Sequence, residues 1–180
     1  MNIPRVDSAC ATIVRTALEV VRPQFRLDYH HGIHGVAHWS RVWLHGRAIA
    51  RSLDVDPRIV AWFAYLHDSQ RHDDGIDRGH GSRAADFAVR LRKQGAITEL
   101  DGTAFEQLCE AMRLHSDGHT ENEPAIRACW DADRLDLGRV GITPQPRYLC
   151  TDHGKAQSTI AYALTLTDVP RALRRSRRRD

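Results

Sequence analysis

The segment DPRIVAWFAYLHD (56–68) decides the fold class of this sequence. Asp56 can cap a helix, and Pro57 suits a first helical turn because a proline lacks the N–H that would have no partner there. Nearly every position after Arg58 is apolar, which predicts a helix enclosed by other elements. A His-Asp doublet, His67-Asp68, ends this apolar run.

Outward from this segment, helical signals follow one another with short breaks, and no hairpin dipeptide flanked by alternating apolar residues occurs. The pattern predicts an all-α, single-domain helical bundle. Polar residues with glycines predict a loop over 69–81 (SQRHDDGIDRGHG). The other helices are expected at about 8–21, 36–53, 103–115 and 124–137, with one capped by Ser82 that ends near Gly95 and a last one that begins near Lys155.

Composition fits a globular protein. A chain of 180 residues with 42% hydrophobic residues can bury a sizeable core. No apolar run reaches the length of a membrane span, and the first residues show no basic segment followed by an apolar stretch, so we expect a cytoplasmic protein with no membrane partner. The four cysteines show no CxxC spacing, which favours free thiols.

The net charge of +3 is concentrated at the C-terminus. Residues 171–180 contain six Arg and one Asp, a charge of +5, so residues 1–170 sum to −2. Such a basic run is usually a solvated, disordered tail, and we do not expect it to bind nucleic acid. The predicted helical domain therefore spans residues 1–170.

The His-Asp dipeptide carries no information by itself. With 11 His and 17 Asp, about one such pair is expected by chance, and the sequence has two, His67-Asp68 and His72-Asp73. Their positions differ, however. His67 continues an apolar helix face with Val60 and Phe63, whereas His72 lies in the polar loop. The first doublet is the one expected to point inward.

Three further helices place a polar residue on an apolar face at helical spacing. These residues are His38 with Val42 and Ile49, Asp133 with Ile126 and Trp130, and His115 with Leu108 and Met112. A single inward-facing histidine is more often hydrogen-bonded than bound to a metal. A buried ionised carboxylate, however, needs a partner. Several such residues together favour a divalent metal: Mn²⁺, Fe²⁺, Mg²⁺, Ni²⁺, Co²⁺ or Zn²⁺.

Three motifs carry these residues in a fixed order. They are HGIHGVAHWSRV (31–42), which contains His38; LHD (66–68), which contains the doublet; and DADRLDL (131–137), which contains Asp133. In this order they resemble the HD-domain superfamily of metal-dependent phosphohydrolases, which is named for a His…His-Asp…Asp metal set on a helical bundle. The resemblance spans about residues 28–140. It implies a fold of the HD type, with His38, His67, Asp68 and Asp133 as metal ligands.

Some proteins with this pattern bind a second metal through two further histidines, with the aspartate of the doublet as a bridge. Here His80 and His115 have the matching order. His119 competes with His115, but only His115 continues an apolar face. We therefore expect one metal site and consider a second one. His34 is expected to support a ligand or to contact substrate, and His30, His31 and His153 are expected at the surface.

The resemblance implies hydrolysis of a phosphate ester in a nucleotide or a related small molecule, with a metal-activated water as the nucleophile. Asp68 would also orient that water. Arg71 could bind the phosphate through two N–H groups, although a surface arginine in a charged loop fits equally well. Weaker candidates for the same task are Arg41, Arg78, Arg83 and Lys155.

Two other functions remain open from the sequence. Relatives with the two extra histidines include mixed-valent di-iron oxygenases, which resemble this sequence equally well. A non-catalytic domain could instead use its metal to bind a nucleotide, with the arginine tail on nucleic acid. The substrate, the metal and the oligomeric state are not specified by these motifs.

Overall fold

A computed structural model describes residues 8–167, and this part of the chain is all helical, without strands. The prediction of an all-α fold is confirmed. The helices are α1 (Ser8–Val21), α2 (Val36–Leu53), α3 (Pro57–Leu66), α4 (His80–Lys93), α5 (Gly102–Leu114), α6 (Pro124–Leu135), α7 (Asp152–Lys155) and α8 (Gln157–Thr167), with 3₁₀ turns at Asp136–Val140 and Pro146–Tyr148.

Helix α3 lies at the centre of the bundle. It packs against α1, α2, α5 and α6, and every residue from Ile59 to Leu66 is buried. Asp56 caps it as predicted, because its carboxylate accepts a hydrogen bond from the Arg58 N–H at 2.9 Å. A side chain at Gly46 of α2 would overlap Val60, so this glycine allows α2 and α3 to approach closely.

Most predicted helix ends agree with the structure to within two residues, but the start of α4 does not. The expected Ser82 cap is wrong, because α4 already begins at His80 and Ser82 lies exposed inside it. Helix α5 begins at Gly102, since Asp101 accepts a hydrogen bond from the Ala104 N–H at 2.8 Å.

The C-terminal part differs from the prediction as well. Helix α6 ends at Leu135 and tightens into the 3₁₀ turn that begins at Asp136. The last helix, α8, begins at Gln157, two residues from the predicted start near Lys155. The short α7, which was not predicted, precedes it, and the two are separated by a break at Ala156.

Three further predictions concern membrane spans, the cysteines and the basic tail. Within residues 8–167, no helix has the length and apolar character that crossing a membrane requires. All four cysteines are buried. The predicted basic tail, 171–180, lies outside the described residues.

Candidate metal centre

The six predicted ligand residues lie together around one carboxylate, that of Asp68. They come from five places in the bundle, mostly at helix ends. His38 lies in the first turn of α2, His67 and Asp68 directly follow α3, His80 begins α4, His115 directly follows α5, and Asp133 lies in the last turn of α6. The helix ends thus carry residues far apart in the sequence to one point.

One oxygen of Asp68 faces the first cluster, which we define as His38, His67, Asp68 and Asp133. The distance from Asp68 Oδ2 to Nε2 is 3.5 Å for both His38 and His67. Asp133 Oδ1 lies 3.4 Å from His38 Nε2 and 3.7 Å from His67 Nε2. The two Nε2 atoms are 3.2 Å apart. Both carboxylates therefore approach the same pair of imidazole nitrogens, and Asp133 could also share a metal with His67 and His115.

The other oxygen of Asp68 faces the second cluster, which consists of Asp68, His80 and His115. Asp68 Oδ1 lies 3.2 Å from His80 Nε2 and 3.8 Å from His115 Nε2. The two imidazole Nε2 atoms are 2.8 Å apart. Asp68 thus contributes one carboxylate oxygen to each cluster.

Hydrogen bonds to the opposite ring nitrogens determine the tautomers of the four histidines. Each Nδ1 faces an acceptor that cannot donate, so each Nδ1 must carry a proton and donate it. The acceptors are the Asp136 carboxylate for His38 at 2.7 Å, the Phe63 carbonyl for His67 at 3.1 Å, the Met112 carbonyl for His115 at 2.7 Å and the Asp77 carbonyl for His80. In the neutral rings, every Nε2 therefore presents a lone pair to the centre.

Two facing lone pairs repel each other, so each close pair of Nε2 atoms needs a proton or a metal ion between its members. Imidazole nitrogens and carboxylate oxygens form a mixed set that suits divalent transition metals. Histidine ligands of metals also commonly donate their second N–H to a carboxylate or a backbone carbonyl, as all four do here. The residues present are compatible with a divalent metal site.

The carboxylates of the centre are held in the ionised form. Burial raises the pKa of Asp68, but the surrounding histidines, His67 foremost and including His34, outweigh it and keep that pKa well below its ordinary value. Burial likewise raises the pKa of Asp133, and His67 with the more distant Arg139 lowers it strongly. Both groups can therefore serve as anionic ligands at neutral pH.

Asp136 supports His38 and is a residue that the sequence analysis missed. Its carboxylate is completely buried and accepts hydrogen bonds from His38 Nδ1 and from Arg41, whose Nε lies at 2.5 Å and whose Nη2 lies at 3.0 Å. The signal was present in the motif DADRLDL, because Asp136 follows Asp133 by three residues and so shares its side of the chain. Arg41 is paired with this buried carboxylate.

Two residues position the bridging carboxylate and the second cluster. His34 is buried and donates from Nδ1 to Asp68 Oδ2 at 2.7 Å. A Cβ at Gly81 would overlap the Met112 carbonyl and would lie 3.3 Å from His115 Nδ1. The absence of a side chain at Gly81 therefore allows α4 and α5 to approach closely enough for His80 and His115 to meet.

A cleft of about 390 Å³ opens beside the second cluster. It is lined by charged and polar residues, including Arg71, His80, Arg78, Asp77 and Asp117. Its size lies within the range of small-molecule sites. Arg71 is buried between this cleft and the cluster, whereas Arg78 is exposed.

The remaining candidate residues from the sequence either lie outside the two clusters or form ion pairs with other residues. Arg83 pairs with Asp77, and Lys155 is exposed on α7. His119, the competitor of His115, is exposed and belongs to neither cluster of the described residues. His30 and His31 are exposed, while His153 is half-buried beside a second cavity of about 230 Å³.

One solved structure is similar to the whole bundle. It is the crystal structure of a predicted HD superfamily hydrolase from an uncultured Thermotogales bacterium. The match covers 91% of this chain and 89% of that one, with a TM-score of 0.64 and 24% sequence identity. This likeness shows that the chain has the HD-type fold. No family model and no curated protein matches the sequence.

Proposed function

We propose that this protein is a metal-dependent phosphohydrolase that cleaves a phosphate ester of a small molecule. The observation that carries the proposal is the Asp68 carboxylate, whose two oxygens each face a pair of imidazole nitrogens with inward lone pairs. The HD-type fold adds support, because the similar structure is itself named a predicted hydrolase.

The first cluster would hold one divalent ion through His38, His67, Asp68 and Asp133. The second cluster would hold another through Asp68, His80 and His115. Such an ion supplies a Lewis acid for the phosphoryl oxygen and lowers the pKa of a bound water into the neutral range.

The chain's own groups would orient the reactants. Asp68 is held by His34 and could fix the direction of the attacking water. Asp133 is the more accessible of the two carboxylates, with its side chain 16% exposed, against 3% for Asp68. The guanidinium of Arg78 lines the neighbouring cleft and could bind the phosphate there.

The reaction would consume one water for each ester. The water oxygen bonds to phosphorus, the P–O bond to the organic group breaks, and the proton lost by the water is taken up by the leaving oxygen. The products are inorganic phosphate and an alcohol when the substrate is a monoester.

The chain contains a matched control for testing this proposal, its second His-Asp doublet. We would compare Asp68→Asn with Asp73→Asn, whose carboxylate lies in the exposed loop and whose replacement keeps the oxygen that accepts the Gly75 N–H. Each protein would be assayed for bound Mn²⁺ and for phosphate release from nucleotides, sugar phosphates and p-nitrophenyl phosphate. Asp68→Asn should lose metal and activity, and Asp73→Asn should keep both. Absence of metal-dependent phosphate release from every substrate in the wild type would refute the proposal.

The second cluster also favours one alternative, a di-iron oxygenase, because two groups of ligands share one carboxylate. Iron loading under anaerobic conditions distinguishes the two functions. Phosphate release without oxygen supports the hydrolase. Oxygen consumption with an organic substrate and no phosphate release would support the oxygenase.

A further inference from the structure

The guanidinium of Arg71 enters the second cluster. Its Nη1 lies 3.2 Å from His80 Nε2 and 3.4 Å from Asp68 Oδ1. Arg71 is 7% exposed, so these contacts are largely shielded from bulk water. A cationic side chain therefore touches two of the three residues that would hold the second ion.

Backbone carbonyls of the loop hold the rest of the guanidinium. Arg71 Nη2 donates to the Gly75 carbonyl at 2.6 Å, and Nε donates to the Asp73 carbonyl at 3.3 Å. The loop is closed by the Gly75 N–H, which donates to Asp73 Oδ1 at 2.7 Å. Three nitrogens of one side chain thus have partners, and the loop directs Nη1 at His80.

His80 Nε2 can serve only one partner. Its Nδ1 donates to the Asp77 carbonyl, so the neutral ring has a single lone pair, on Nε2. That lone pair can face the Arg71 N–H at 3.2 Å, a proton on His115 Nε2 at 2.8 Å or a metal ion, but it can serve only one of them at a time. A guanidinium and a divalent ion are also like charges, which disfavours their joint presence beside Asp68 Oδ1.

We propose that Arg71 competes with a second divalent ion for His80 and Asp68, and thereby sets how many ions the centre holds. The inference rests on the metal centre of the proposed function. The first cluster takes its ion without this competition, because Arg71 contacts the other oxygen of Asp68. The second ion binds only when the guanidinium withdraws.

The test is a Mn²⁺ titration of the metal-free full-length protein, with free Mn²⁺ counted by electron paramagnetic resonance. Arg71→Gln removes the charge but keeps a polar side chain. Arg78→Gln is the matched control, since Arg78 lines the same cleft but is exposed. We expect the second Mn²⁺ to bind at least tenfold more tightly to Arg71→Gln than to the wild type or to Arg78→Gln. Paired, spin-coupled Mn²⁺ should also appear at lower metal concentration.

A third variant separates charge from shape and guards against misfolding. Arg71→Lys keeps the positive charge and should keep the second Mn²⁺ weak. Equal second-ion affinities in wild type and Arg71→Gln would overturn the proposal. Weaker second-ion binding in Arg71→Gln, or tight binding in Arg71→Lys, would overturn it as well.

These outcomes are distinct from those of the proposed function. The titration needs no substrate, so a protein without phosphatase activity can still show the competition. Conversely, an active hydrolase whose second ion ignores Arg71 would refute only the competition.

Discussion

Replacing Asp136 by asparagine should weaken the binding of the first ion while leaving the fold intact. The carboxylate is buried and accepts hydrogen bonds from His38 on one side and from Arg41 on the other. Asparagine has nearly the same shape but only one acceptor oxygen. Its NH₂ group must therefore face either His38 or Arg41. If it faces His38, that histidine loses its acceptor. If it faces Arg41, His38 keeps an acceptor but loses the nearby negative charge that would strengthen its Nε2 as a metal ligand.

The size of the expected effect follows from two separate losses, one in metal affinity and one in the stability of the metal-free protein. Removal of a carboxylate that orients a metal-binding histidine typically lowers metal affinity by about 10- to 100-fold. In the metal-free protein, one buried donor is left without an acceptor, which costs about 1–3 kcal/mol. The Arg41 side chain is 23% exposed, so water offsets part of this loss, and the lower half of that range is expected. For a domain of this size, 1 kcal/mol corresponds to about 2–4 °C in the melting temperature.

The effect on stability should also depend on pH. Burial raises the pKa of Asp136, but hydrogen bonds from His38 and Arg41 outweigh it and leave that pKa below its ordinary value. A carboxyl group whose pKa is lower in the folded state contributes stability above its unfolded pKa and loses it as the pH falls through the folded pKa. The stability difference between wild type and Asp136→Asn should be full at pH 7 and shrink below about pH 4.

Helix α6 provides the control, Asp131→Asn. Asp131 is also completely buried, but it accepts hydrogen bonds from the Cys150 N–H at 2.7 Å, the Thr151 N–H at 2.8 Å and the Thr151 hydroxyl at 2.7 Å. Calorimetric titration with Zn²⁺ or Mn²⁺ and thermal melts would be run on both variants. Asp131→Asn should lose stability and keep the metal affinity of the wild type. Equal metal affinities in all three proteins would show that Asp136 acts only on stability, which would refute the reasoning.

Three further changes test other parts of the structure. Asp133→Ala should reduce first-ion affinity at least 100-fold in a metal titration, whereas the melting temperature of the metal-free protein changes by only a few degrees, because this side chain is partly exposed. Burial lowers the pKa of His45 to about 4. Between about pH 6.5 and pH 4 this histidine is therefore protonated in the unfolded chain but neutral in the folded protein. Acidification over this range should lower the free energy of unfolding by up to about 3 kcal/mol. Urea denaturation at pH 7 and pH 4.5 should show a smaller loss in His45→Leu, and an equal loss would contradict this account. Gly81→Ala should cost about 1–3 kcal/mol in thermal melts through overlap with the Met112 carbonyl, whereas Gly102→Ala, which has open space around it, should be nearly neutral.

Local periodicity was enough to predict the all-α fold and most of the helices. The predicted bounds of α1 and α2 agree with the structure at both ends. The inward direction of His38 and His67 also followed from apolar faces, since helical spacing is a property of a short segment and needs no knowledge of its neighbours. Both side chains are fully buried as that spacing predicted.

Tertiary contacts account for what the sequence analysis missed. Ser82 has the residue type of a helix cap, but α4 begins two residues earlier, where His80 bonds back to the Asp77 carbonyl and Gly81 packs against the end of α5. Neither contact is visible in a local pattern. The motif DADRLDL predicted Asp133 as a ligand but not Asp136, because the pattern that it resembles specifies ligands and not a carboxylate that hydrogen-bonds to one of them.

The two His-Asp doublets show which structural features a local sequence pattern does not predict. His67-Asp68 and His72-Asp73 are separated by five positions in the sequence, and only the first follows an apolar helix face. Adjacent residues on a helix point about 100° apart. His67 and Asp68 nevertheless meet, with 3.5 Å between His67 Nε2 and Asp68 Oδ2, at the point where α3 ends. The second doublet has a different part in the structure, since the Asp73 backbone carbonyl holds Arg71. The placement of that arginine depends on the closed form of a polar loop, and no periodicity in the sequence encodes it.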